Sequence, residues 1–288
     1  MILAAIDIGS NAIRLQITRI IHPKGEKPVY KILESIRFPL RLGKDAFRTG
    51  EITFRSEIKF INLMMAFRTL IDLYEADDAF GCATSALRDS MNGQRIIDRA
   101  YEKSGLHIEM ISGEREAEIL DMAVNKEIDE GHYMHIDVGG GSTEINMIKH
   151  KRSYARKSFK LGSVRNMQKR EKTSTWEAMI NWIKENKVEA FDGSVATGGN
   201  VRTIQKLINS SSKEANIEEI EELNNRCSPL SVKKRIEIFG LREDRADVMP
   251  FASEIYIKAI TSAGISKVLV PDVGLKDGII EMLYTRNA

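Results

Sequence analysis

Cysteine is nearly absent from this 288-residue chain. The two present, Cys82 and Cys227, give no disulfide framework and no metal-ligand spacing, which excludes a disulfide-stapled scaffold and fits a reducing compartment. Long apolar runs are missing too: none approaches the roughly 20 residues of a membrane helix. Residues 1–5 lead straight into the charged Asp7, so no signal-peptide pattern is present. The cytoplasm is the expected location, with no membrane partner. Nor does charge of one sign dominate. Lys and Arg (43) nearly cancel Asp and Glu (41), which excludes a strongly basic nucleic-acid binder. The one linker-like patch, residues 209–213, is too short to divide domains.

What is there is a repeat. Ile6-Asp7-Ile8-Gly9-Ser10-Asn11, followed by residues 12–17, returns 130 residues later as Ile136-Asp137-Val138-Gly139-Gly140-Gly141-Ser142-Thr143-Glu144, followed by residues 145–148. Each copy reads as an apolar strand ending in Asp, a tight Gly/Ser turn and a second strand. Two such hairpins suggest a duplicated phosphate-handling fold with the active site between its halves. The rest alternates strands with helices, as in α/β layers. Apolar positions at 58, 61, 64, 65 and 71 recur at helical spacing. Further strands are expected at 29–38, 79–83, 107–111, 133–138, 144–148, 153–160, 194–197 and 267–270. Helices are expected at 94–102, 114–127, 163–170, 176–186, 200–209, 216–225, 231–238, 247–263 and 276–284. His132 and His135 fall on opposite faces of one strand and cannot share a metal. Trp176 and Trp182 fit helix packing. The basic run at 149–160 reads as a solvated strand edge, with contact to the distal part of a polyanion as the alternative.

The turn at Gly139–Gly141 suits an anion, because glycine lets backbone N–H groups approach closely and form a nest, with the Ser142 and Thr143 hydroxyls as further donors. It lacks the GxGxxG spacing of a dinucleotide fingerprint and the Gly-Lys-Ser/Thr of a P-loop. Asp7, Asp137 and Glu144 would be costly beside phosphate without a cation. Mg²⁺ takes oxygen ligands and needs only one or two carboxylates, and Asp137 and Glu144, flanking one loop, are the best candidates.

These residues do not stand alone. With Arg14, Arg41-Leu42-Gly43, Ala83-Thr84-Ser85-Ala86-Leu87-Arg88 and Asn92, Ile111-Ser112-Gly113-Glu114-Arg115-Glu116-Ala117, residues 161–165, Thr197-Gly198-Gly199, Arg245-Ala246-Asp247-Val248 and residues 274–278, the chain resembles the exopolyphosphatase / guanosine pentaphosphate phosphohydrolase family, in order over nearly its whole length. The resemblance implies a duplicated α/β fold of the actin-like, sugar-kinase-like, Hsp70-like (ribonuclease H-like) ATPase type, two lobes with an interdomain cleft. The lobes would be residues 1–124 and 125–274, with a closing helix at about 275–288 packing back on the first. It also implies a Mg²⁺-dependent hydrolase that removes terminal phosphoryl groups from polyphosphate or guanosine pentaphosphate.

The resemblance makes Glu116 the base for the attacking water, and the expected metal carboxylates remain Asp137, Glu144 and Asp7. Phosphate binding is expected of Ser10, Asn11, Arg14, Arg88, Gly139, Gly140, Gly141, Ser142, Thr143, Gly198, Gly199 and Arg245. By itself the sequence leaves Glu114 and Glu118 as rivals of Glu116. Arg88 is placed where a helix begins after a strand, a natural anion position. Ala12, Arg115, Asn200, Phe251 and Ala252 depart from the family pattern without removing a proposed catalytic group. The chain stops shortly after Gly278, where longer members carry an HD-type helical domain, so distributive action is the expectation. A non-hydrolytic phosphate-polymer or nucleotide sensor, or an ATPase or kinase of the same fold, stays as the alternative. A homodimer is left open.

Overall fold

In the computed structural model the described residues are 1–23, 25–209 and 211–288. Ser210, in the patch at 209–213, lies outside them. The chain forms two compact units: Met1–Ala123 with Leu275–Ala288, and Val124–Gly274.

Unit 1 opens with β1 (Ile2–Ile8), β2 (Ile13–Ile21) and β3 (Val29–Phe38), then α1 (Leu42–Thr49), α2 (Phe54–Leu73), β4 (Asp78–Ala83), α3 (Ser85–Arg88), α4 (Gly93–Ser104), β5 (Ile108–Met110) and α5 (Gly113–Val124). Its sheet runs β3-β2-β1-β4-β5. β1 is antiparallel to β2, and β2 to β3, whereas β4 and β5 continue from β1 in parallel. β1 is buried almost throughout, as a nearly unbroken apolar run covered on both faces must be.

Unit 2 repeats this plan with β6 (His132–Val138), β7 (Thr143–Lys149), β8 (Arg152–Phe159), α6 (Ser163–Met167), α7 (Thr173–Asn186), β9 (Gly193–Thr197), α8 (Gly199–Ile208), β10 (Glu214–Asn216), α9 (Ile217–Cys227), α10 (Val232–Phe239), α11 (Glu243–Ala246), α12 (Met249–Ser262) and β11 (Lys267–Leu269). The order is β10-β11-β9-β6-β7-β8. β8-β7-β6-β9-β11 matches β3-β2-β1-β4-β5 in sequence and direction, and β10 adds an antiparallel edge. Even the irregularities repeat. The β2/β3 pairing slips between Ile17 and Thr18, and the β7/β8 pairing between Met147 and Ile148, at the same 130-residue offset as the two Asp residues. This is the duplicated α/β plan that the resemblance implies.

The last helix, α13 (Leu275–Asn287), returns to unit 1. Leu275, Ile279, Ile280 and Leu283 pack into one cluster with Leu3, Ala5 and Ile119. Its first turn is fixed by polar contacts under cover: Lys276 Nζ donates to Gln16 Oε1 at 2.6 Å, and Gln16 Nε2 donates to Asp277 Oδ1 at 2.9 Å. In unit 2 the core lies under the central strands and is capped by α12, whose Tyr256 is fully buried. Trp176 and Trp182 pack against that core, as expected. The structure also has elements that the sequence reading did not expect. α1 was not expected, and it starts from Arg41 in the left-handed conformation (φ 60°), held because Gly43 N–H donates to Ser10 O at 2.7 Å. The short α11 was not expected either, whereas the helix expected at 247–263 is α12, with Pro250 in its first turn.

Candidate active site

In unit 1 the β1–β2 turn is closed by Gly9 N–H donating to Ala12 O at 3.2 Å. Ser10 and Asn11 are buried in it, and Ser10 Oγ lies 2.9 Å from Ser85 Oγ at the start of α3. Cross-strand register sets Arg14 directly opposite Asp7, and the two form an ion pair at 2.6 Å. Asp7 is thus neutralised within its own hairpin. Arg88 is the last residue of the four-residue α3, not at the beginning of a helix. It donates to Ile111 O at 2.7 Å, and its guanidinium lies 4.0 Å from Glu116 Oε2.

Three glutamates compete on α5, and burial separates them. Glu114 is exposed and Glu118 pairs with Arg115 at 3.0 Å, whereas Glu116 is only 8% exposed. Burying a carboxylate is costly unless it is bonded or paired, so Glu116 is the one of the three whose position solvation does not explain. Nearby Cys82 is no nucleophile. Burial first, then the Asp7, Glu109 and Glu116 carboxylates, push its thiol far above the ordinary range.

In unit 2 the glycine turn is tied from behind. Gly139 N–H donates to Ser142 O, and the turn's carbonyls are taken by α6: Ser163 N–H donates to Gly139 O at 3.0 Å, and Val164 and Arg165 N–H donate to Gly140 O at 2.8 and 2.9 Å. Arg165 Nε completes the set by donating to Gly141 O at 2.7 Å. Carbonyls held on one side orient the peptide units of the turn. The approach is so close that a Cβ on Gly162 would meet Gly140 and Gly141 backbone atoms at 2.6 Å. Thr143, read from sequence as a phosphate donor, gives its hydroxyl proton to Leu161 O at 2.8 Å. Gly198 and Gly199 join β9 to α8, and Arg245 lies over them: a Cβ on Gly199 would sit 2.1 Å from its Nη2. Arg245 also donates to Asn200 Oδ1 at 2.8 Å, and Asn200 Nδ2 donates to Ser163 Oγ at 3.2 Å. The second loop and α6 are thereby linked within unit 2.

Cross-strand register places Glu144 directly opposite Asp137, where unit 1 has Arg14 opposite Asp7. One carboxylate oxygen of each lies within 4.8 Å of the other's, and Glu144 is 1% exposed. Ser158 Oγ donates to Glu144 Oε1 at 2.8 Å, and Thr197 Oγ1 donates to Asp137 Oδ1 at 2.6 Å. Like charges facing each other across strands are unfavourable. Two hard oxygen donors in that relation fit Mg²⁺, which needs one or two carboxylates and keeps waters for the rest. Beneath them lies His135, wholly buried, whose imidazole burial pushes down to about 3. His132, on the opposite face of β6, stacks on Phe191 instead.

Sequence reasoning gave no role to Arg165, Ser163, Thr197 or His135. The segment 161–165 is part of the family pattern, so the signal for Arg165 was present. The link from His135 to Thr197 joins residues far apart in sequence and has no local mark.

The structure defines a duplicated α/β protein with a glycine turn beside facing carboxylates and Arg245 over a second glycine pair. More particularly, the chain belongs to the Ppx/GppA phosphatase family, whose model matches residues 20–286. It is 27% identical over 245 residues to the bifunctional 3-dehydroquinate synthase/phosphatase of Fusobacterium nucleatum, covering 82% of this chain and 35% of that protein. It is 23% identical over 300 residues to the guanosine-5'-triphosphate,3'-diphosphate pyrophosphatase of Aeromonas hydrophila, covering 99% of this chain and 60% of that one. The chain spans less than two thirds of the length of these curated relatives. A solved exopolyphosphatase from Cytophaga hutchinsonii, 21% identical, shares the fold with a TM-score of 0.83 over 99% of this chain and 98% of that one. Among the described residues no helix is long and apolar enough to cross a membrane.

Proposed function

We propose that the chain is a Mg²⁺-dependent phosphoanhydride hydrolase acting on the terminal phosphoryl group of inorganic polyphosphate or guanosine pentaphosphate. The observation that carries this reading is the buried Glu144 carboxylate set opposite Asp137 beside the glycine turn, an arrangement that calls for a cation where phosphate would bind. Membership in a phosphatase family agrees with it.

Water attacks the terminal phosphorus in line with the leaving oxygen. The phosphorus–oxygen bond to the rest of the chain breaks, the water proton passes to Glu116, and orthophosphate and the shortened polyanion are released. Phosphoryl transfer needs positioning and charge neutralisation more than a strong base, so a carboxylate suffices. Asp137 and Glu144 would hold Mg²⁺, with Asp7 as a further acid beside the first turn, and the ion would neutralise charge on the transferring group. Arg14, Arg88 and Arg245 supply fixed positive charge for the substrate's oxygens. Ser10 and Asn11 in one turn, and Gly139–Ser142 with Gly198 and Gly199 in the other unit, supply backbone and side-chain donors. The test is phosphate release from polyphosphate, guanosine pentaphosphate and ATP, with Mg²⁺ and with excess chelator. Release from either of the first two that chelation abolishes is expected. Release undiminished by chelator, or none from any substrate, overturns the proposal.

A further inference from the structure

Asp137 is held from beneath by a relay that lies wholly within unit 2. Thr197 is its register partner across the parallel β6–β9 pair, and its Oγ1 donates to Asp137 Oδ1 at 2.6 Å. The same oxygen lies 2.9 Å from His135 Nε2. A carboxylate only accepts, so the single hydroxyl proton of Thr197 points at Asp137. Thr197 Oγ1 must then accept from His135, which fixes the imidazole as the Nε2–H tautomer. The backbone around the relay is pinned as well. The Tyr256 hydroxyl donates to Thr197 O and accepts from Val138 N–H.

The duplication supplies an internal control. At the equivalent register positions unit 1 has Ala5 for His135 and Cys82 for Thr197, both buried. Small residues therefore fill this space adequately in the same sheet plan, and packing alone does not call for a buried His–Thr pair. Unit 1 needs no relay, because Arg14 already orients and neutralises Asp7. Unit 2 has no arginine there, and an unoriented carboxylate is a poor cation ligand. Partners one shell behind a metal ligand commonly set its direction and basicity.

We infer that His135 and Thr197 are positioning residues that hold the Asp137 carboxylate in the orientation required to bind a divalent cation. This rests on the reading of Asp137 as a cation ligand. The experiment is a Mn²⁺ titration of the whole protein without substrate, followed by electron paramagnetic resonance, with a melting curve for every variant. Thr197→Val should weaken Mn²⁺ binding by about 10- to 100-fold, with a modest fall in melting temperature because the buried His135 N–H loses its acceptor. Thr197→Ser, which restores the hydroxyl, should recover most of the affinity. If the valine variant does not fold, Thr197→Ala carries the same comparison. Wild-type affinity in a folded variant that lacks the hydroxyl overturns the inference while leaving the cation site standing. No Mn²⁺ binding by the wild-type protein at millimolar ion removes the cation site itself, and the relay's role with it.

Discussion

The two hairpins share register, turn closure and position in their sheets, and differ in one charge. Opposite Asp7 stands Arg14; opposite Asp137 stands Glu144. The first hairpin pairs opposite charges, whereas the second sets two carboxylates of like charge face to face. Duplication thus supplied two copies of one scaffold that differ in the sign of the seventh residue after each Asp. In the function proposed above, the first copy grips the polyanion and the second holds the ion that neutralises it.

The sharpest way to break this comparison is to impose the first hairpin's charges on the second. Glu144→Arg should lower phosphate release by at least about 10³-fold, the loss of several kcal/mol of cation stabilisation, with no recovery in excess Mg²⁺. The fold should survive, since the new pair has opposite charges. Mg²⁺-dependent turnover retained in this variant would end the proposed division of labour.

Next in size is the acid on α5. Glu116→Gln should cut turnover by at least about 10²-fold while substrate affinity changes little, as loss of a general base requires. Near-wild-type turnover, read from single-turnover kinetics, would remove Glu116 from the chemistry.

In the first hairpin, Arg14→Ala should raise KM about tenfold, equivalent to about 1.4 kcal/mol of binding. It should also cost about 1–3 kcal/mol of stability by leaving Asp7 without its ion pair. Arg14→Lys should recover only part of either, because an ammonium does not reproduce the guanidinium fork. Unchanged KM in both variants would leave the first hairpin a purely structural element.

The smallest effect sharpens the contrast most cleanly. Glu144→Gln keeps the acceptor for Ser158 and removes one of two facing charges. In metal-free protein it should raise the melting temperature by about 2 °C, from relief of less than about 1 kcal/mol. Added Mg²⁺ should then stabilise the wild-type protein more than the variant, because a ligand of the native state raises stability by mass action. Equal Mg²⁺ response in the two, measured by calorimetry, would count against Glu144 as a ligand.

Much of this was legible in the sequence, for local reasons. Asp before Gly/Ser at the end of an apolar run specifies a strand and a turn whatever follows, so both hairpins and their spacing could be read directly. The sign change could be seen too, since Arg14 and Glu144 stand at the same distance from their Asp; giving it meaning required the register. α1 was not legible, because its start depends on Gly43 reaching Ser10 across the fold rather than on a capping residue. β10 is two polar residues around a buried Ala215, too short to read as a strand until it pairs with β11. Glu116 stood out from Glu114 and Glu118 only once burial was known. His135 looked like an ordinary strand histidine, because the hydroxyl it serves comes from β9.

The return of α13 to unit 1 has a consequence for biosynthesis. A ribosome makes the whole of unit 2 after α5 and before α13, so unit 2 is contiguous and can complete its core as it emerges. Unit 1 cannot: Leu3 and Ala5 wait for Leu275 and Ile279, and Gln16 waits for Lys276 and Asp277. The nascent first sheet therefore spends the translation time of an entire neighbouring unit with an apolar face uncovered. That interval is when this chain would need a chaperone.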